Sequence, residues 1–154
     1  MPLNTILVED SKTIQETLVP ALEELADARV LAIAETASDA TEAVAHWRED
    51  WQLMVVDLFL REGSGIEVLQ ALQRGDRLRA TPGARQGRPG QHVYVLSNYA
   101  TADMRRRCEE LGADGVFDKS TELDAFFERC SELPRRAGTG TGTGTGSFAA
   151  ADRR

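Results

Sequence analysis

The sequence predicts an α/β fold: a parallel sheet of five strands with helices on both faces. Three observations carry that expectation. Short apolar runs alternate five times with segments of helical periodicity. The middle run, Leu53-Met-Val-Val56, is apolar throughout, as a parallel strand covered on both faces requires. The chain has 154 residues and is 42% hydrophobic, which suits one domain with an ordinary core.

The elements follow in order. Residues 4–8, Asn-Thr-Ile-Leu-Val, form a short apolar run between polar neighbours and read as a buried strand. Ser11 is placed to cap the next helix, which carries Ile14, Leu18, Ala21, Leu22 and Leu25 on one face. Pro20 lies inside that pattern and predicts a local distortion, because it lacks the amide proton of a helical turn. Residues 29–34 are the second strand. Ser38 opens a helix through Ala43, Val44 and Trp47, and Leu53–Val56 is the third strand. Residues 65–73 form a helix with Ile66, Leu69 and Leu72. Val93-Tyr-Val-Leu96 is the fourth strand, and Ala102–Leu111 a helix stopped by Gly112. Gly115-Val-Phe117 is a short fifth strand, and Thr121 caps a last helix carrying Leu123, Phe126, Phe127 and Cys130.

Two stretches break the pattern. Residues 74–91 hold five Arg, four Gly and two Pro, which predicts a basic loop inserted before the fourth strand. Residues 138–146 read GTGTGTGTG and have no apolar face, so 135–154 reads as a flexible tail behind a domain of residues 1–134. The net charge is -7, and the tail carries four Arg against one Asp, so residues 1–134 carry -10. That balance argues against general nucleic-acid binding. No apolar run approaches the roughly 20 residues of a membrane span. The start has no basic region of a secretory signal, and Cys108 and Cys130 fit no metal spacing, so a reducing cytoplasm is expected. His46 beside Trp47 and His92 at the head of the fourth strand suit structural roles.

In parallel α/β sheets, functional groups gather beyond the carboxyl ends of the strands. Here the first strand ends in Glu9-Asp10, the third in Asp57 and the fourth in Ser97, and the fifth leads into Asp118-Lys119. Carboxylates packed together repel, and a divalent cation relieves the repulsion. Mg2+ suits an all-oxygen set with one or two carboxylates. A carboxylate can also attack a phosphoryl group to give an acyl phosphate. Lys119 and Ser97 are groups able to meet the phosphoryl oxygens.

These residues resemble the response regulator receiver domain of two-component signalling. The resemblance spans about residues 4–132 and rests on Val8-Glu9-Asp10, Val56-Asp57-Leu58, Gly63-Ser64-Gly65, Val95-Leu96-Ser97, Gly112-Ala113-Asp114 and Asp118-Lys119. It implies a flavodoxin-like doubly wound sheet of order 2-1-3-4-5. It implies Asp57 as phosphoacceptor, Ser97 as switch hydroxyl and Lys119 as phosphate contact. It implies Mg2+ on Glu9, Asp10, Asp57 and the backbone carbonyl of Phe59. The expected partners are a histidine kinase or histidine phosphotransfer protein and a downstream protein. It implies a signalling module and not an enzyme, one that catalyses its own phosphorylation and dephosphorylation. About twenty residues follow the last helix, so the expected output is a protein contact of the receiver itself.

Several positions depart from the family pattern. Ser120 follows the lysine where proline is usual, and Arg61 stands four residues after Asp57 where proline is usual. Asn98 replaces a small residue, and Val116 falls on the aromatic switch position. Phe117, next to it, should face the other side of the sheet. Phe59 and Tyr99 flank the expected line of water attack with bulk. The runner-up is a degenerate receiver that binds partners without phosphorylation. A flavodoxin-like electron carrier is disfavoured because Glu9-Asp10 would repel a flavin phosphate. An aspartyl phosphohydrolase is disfavoured because Phe59 stands where its second Asp would be.

Overall fold

Each strand of the sheet runs parallel to its neighbours, in the order β2-β1-β3-β4-β5. The computed structural model describes residues 2–79, 90–98 and 100–134, without the side chains of 75–79. The elements are β1 (Leu3–Val8), α1 (Lys12–Leu25), β2 (Ala28–Ala34), α2 (Ala37–Trp47), β3 (Leu53–Asp57), α3 (Gly65–Arg79), β4 (His92–Ser97), α4 (Ala102–Glu110), β5 (Gly115–Asp118) and α5 (Leu123–Ser131). This is the flavodoxin-like doubly wound arrangement. The expected tail 135–154 lies outside the described residues.

Strand alternation divides the core into two layers. Ile6, Val8, Met54, Val56, Val93, Val95 and Val116 face one side, where Ala40 of α2, Leu69 of α3 and Cys108 of α4 cover them. Leu3, Leu7, Leu53, Val55, Tyr94, Leu96 and Phe117 face the other, under Leu18 and Leu22 of α1 and Phe126 and Cys130 of α5. Val116 and Phe117 therefore point to opposite faces. Tyr94, Phe117 and Phe126 meet edge to face with centroids 5.4–6.4 Å apart. Fully burying such a side chain stabilises the fold by about 1.5–3 kcal/mol. Both cysteines are buried, one in each layer.

Three boundaries differ from the sequence expectation. Thr36, not Ser38, caps α2, accepting from the Asp39 amide at 3.0 Å. The amide of Ala37 donates to the carbonyl of Glu62 on the β3–α3 loop, and this docking sets where α2 begins. Helix α3 continues through Gly75 to Arg79, so the basic segment expected as a loop over 74–91 starts as helix; residues 80–89 lie outside the described residues. Its apolar anchors Val68, Leu69 and Leu72 carry the helix past the modest cost of one glycine. Finally, Glu122, not Thr121, occupies the cap position of α5, and its side chain does not cap the helix. Pro20 lies within α1, which runs continuously from Lys12 to Leu25.

Candidate functional site

Glu9, Asp10 and Asp57 come together because β1 and β3 are neighbours that end at the same sheet edge. Val8 is paired with Val56, so the residues that follow them emerge side by side. The three side chains each offer an oxygen within 4.8 Å of the others. Glu9 and Asp57 are buried, and Asp10 is half-buried towards solvent.

Lys119 enters from the β5–α5 loop. Its ammonium lies 2.8 Å from Oε1 of Glu9 and 3.4 Å from Oδ2 of Asp57, and its side chain is 10% exposed. The backbone N–H of Lys119 donates to the carbonyl of Ser97 at 2.9 Å, tying the ends of β4 and β5 together at the pocket. Ser97 is fully buried. The Phe59 amide donates to Oδ1 of Asp57 at 3.3 Å, while its ring is 54% exposed at the rim.

Burial pushes the Asp57 carboxyl up to about 6 from an ordinary 3.8; Lys119 opposes the rise and the Glu9 carboxylate adds to it. One ammonium thus pairs with two of the three clustered carboxylates. An all-oxygen donor set with surplus negative charge and one member open to water fits a hard divalent cation, with room for water ligands.

Gly65 permits the tight entry of α3 behind this pocket. A Cβ there would lie 2.6 Å from the carbonyl oxygen of Asp57 and 2.8 Å from Cα of Leu58. The Gly65 amide donates to the Leu58 carbonyl at 3.0 Å, holding the loop closed.

A second layer of polar contacts was not legible along the chain. Gln15 is buried on α1, donating to the Glu9 carbonyl at 2.6 Å and to Glu35 at 3.1 Å. Glu35, just beyond β2, also pairs with Lys12 at 2.8 Å and Arg61 at 3.3 Å. Hydrogen bonds from Lys12 and Gln15 hold its carboxyl below the usual range. Arg61 therefore joins the β3–α3 loop to the end of β2. The signal available in the sequence was Gln15 itself, a polar residue in the apolar stripe that includes Leu18 and Leu22.

Asp118 stays outside the carboxylate cluster. It accepts from the Ser120 amide and hydroxyl, which lower its carboxyl, and closes the turn after Lys119. The described residues contain no cis peptide bond, so this turn forms with a trans Lys119–Ser120 link. Asn98 is exposed, and Tyr99 lies outside the described residues. No helix among the described residues is long and apolar enough to cross a membrane.

Residues 5–131 match the family model of the response regulator receiver domain. Among solved structures, the chain is similar to the CheX–CheY–BeF3–Mg2+ complex from Borrelia burgdorferi, with 15% identity and a TM-score of 0.68 over 84% of this chain and 87% of that one. It is similar to a LuxR-family DNA-binding response regulator from Staphylococcus aureus, with 15% identity and a TM-score of 0.68 over 85% and 98%. A Burkholderia pseudomallei response regulator, solved with a phosphorylated aspartic acid, a calcium ion and citrate, aligns with 20% identity and a TM-score of 0.61 over 80% and 63%. No curated protein matches the chain.

Proposed function

The chain belongs to the response regulator receiver family, and from that premise we propose that Asp57 accepts a phosphoryl group from a phosphohistidine donor. The observation that carries this reading is the meeting of Glu9, Asp10 and Asp57 with a single ammonium, Lys119, at one sheet edge.

A carboxylate oxygen of Asp57 attacks phosphorus in line. The P–N bond to the donor imidazole breaks, and its electron pair returns to that nitrogen. The Lys119 ammonium, already 3.4 Å from Asp57, is placed to meet an equatorial phosphoryl oxygen. Ser97, at the neighbouring strand end, is the hydroxyl available to a second. Mg2+, held by Glu9, Asp10, Asp57 and the Phe59 carbonyl, would neutralise phosphoryl charge when bound. The donor is a histidine kinase or histidine phosphotransfer protein. The output is a protein contact made by the receiver, on the surface built by the segments after Ser97 and Lys119.

Intact mass spectrometry tests this. Incubation with Mg2+ and a small acyl phosphate, or with a phosphorylated kinase, should add one phosphate mass to the wild type. The adduct should vanish in Asp57→Ala and with chelator. An adduct that persists in Asp57→Ala moves the acceptor elsewhere. Its absence with every donor, with partner binding retained, favours a phosphorylation-independent binding module.

A further inference from the structure

Arg105 lies on α4, outside the carboxylate pocket, yet its guanidinium joins the two loops that follow β4 and β5, one leading on from Ser97 and the other holding Lys119. It donates from Nε to the Ala100 carbonyl at 2.9 Å, from Nη1 to the Val116 carbonyl at 3.0 Å and from Nη2 to Oε1 of Glu122 at 2.6 Å. The same Glu122 oxygen accepts from the Asp118 amide at 2.9 Å. Ala100 lies three residues after Ser97, and Glu122 three residues after Lys119. One side chain thus pins the β4–α4 loop, the last strand and the β5–α5 loop. The ion pair is partly sheltered, with side-chain exposures of 34% and 36%.

We propose that this guanidinium clamp is a latch that favours the resting positions of the two loops and loosens when Ser97 and Lys119 are drawn towards a phosphoryl group on Asp57. The proposal rests on Asp57 being the acceptor. Its physical basis is the rigidity of the donor. A guanidinium presents its N–H groups in a fixed planar fork, and hydrogen bonds weaken steeply with misalignment. Its acceptors sit on separate segments, two of which continue directly from pocket residues. Inward movement of Ser97 or Lys119 carries Ala100 or Glu122 with it and misaligns the fork. Stabilisation of the resting arrangement opposes occupation of the pocket, and linkage makes the opposition reciprocal. Arg105 is therefore a positioning residue, acting through the backbone of both loops.

The test is the affinity of the full chain for beryllofluoride at saturating Mg2+, followed by fluorine NMR. A latch that holds the resting state predicts tighter binding once it is cut, by about fivefold or more in Arg105→Met. Glu122→Gln keeps an acceptor but loses the charge, and should gain less in the same direction. A merely structural role would leave affinity unchanged or weaken it, and that result overturns the latch while the phosphoacceptor reading stands. Should Arg105→Met fail to fold, Glu122→Gln decides alone, and wild-type affinity there overturns the latch. A wild type that neither binds beryllofluoride nor gains phosphate on Asp57 removes the phosphoacceptor reading, and the latch with it.

Discussion

Lys119 donates to Oε1 of Glu9 across 2.8 Å, closer than its 3.4 Å approach to Asp57, and both members of the pair are almost closed to water. The ammonium is thus the counter-charge of two buried carboxylates. Removing it leaves them facing each other in a poorly solvated pocket. Lys119→Met should lose about 3 kcal/mol of stability in metal-free buffer at neutral pH. Urea denaturation followed by circular dichroism checks this, and the loss should shrink as pH falls below 6 and Asp57 protonates.

Asp57 gives a stability effect of defined sign. Its carboxyl titrates near 6 in the folded chain against an ordinary 3.8, so folding favours the protonated form. The resulting contribution is present in full below about pH 4 and is lost as pH rises through 6. Above that pH the ionised group is a net cost. Asp57→Asn should therefore stabilise the metal-free protein at pH 7.5 by about 1–2 kcal/mol, allowing for screening at the pocket mouth. The gain should fade towards pH 4. Thermal melts across this range report it, and a gain that grows on acidification would contradict the assignment.

Gly65→Ala should be destabilising by about 1–3 kcal/mol. The added methyl meets backbone on two sides, at Asp57 and Leu58, and neither can swing away as a flexible side chain would. Because the strain falls on the Asp57 carbonyl, phosphorylation should slow as well. Denaturation midpoints and the rate of phosphate incorporation are the two measurements.

The lifetime of a phosphoryl group on Asp57 should depend on Phe59. Its ring stands half exposed at the rim, and it has no carboxylate or amide with which to orient a water. Phe59→Asn combined with Tyr99→Ala should speed hydrolysis about tenfold, equivalent to about 1.4 kcal/mol in the barrier. Decay of the phosphoprotein by mass spectrometry gives the rate; an unchanged or longer lifetime removes the shielding role.

Along the chain, the sheet was legible because its strands are continuous apolar runs, and the carboxylates because they stand directly at strand ends. Helix boundaries were less so. Thr36 and Ser38 are both competent caps, and the choice depends on Ala37 docking against Glu62, a contact between separate loops. Gly75 looks like a stop signal, yet α3 passes through it under the pull of its buried anchors. Glu122 leaves the first turn of α5 uncapped because its carboxylate is engaged by Arg105 and Asp118. The Gln15–Glu35 and Arg105–Glu122 contacts join residues 20 and 17 positions apart. Such pairings have no local pattern, since it is the packing of α1 and α4 that brings them into reach.

The two thiols have a use that follows from their separation. Cys108 is sealed beneath α4 in one layer and Cys130 beneath α5 in the other, with the sheet between them. Each becomes reactive only when its own layer opens. Slow alkylation under native conditions, resolved by peptide, therefore clocks the breathing of each face separately, with no introduced label. Comparing the two clocks with and without phosphate reveals whether a signal loosens one side of the protein while leaving the other shut.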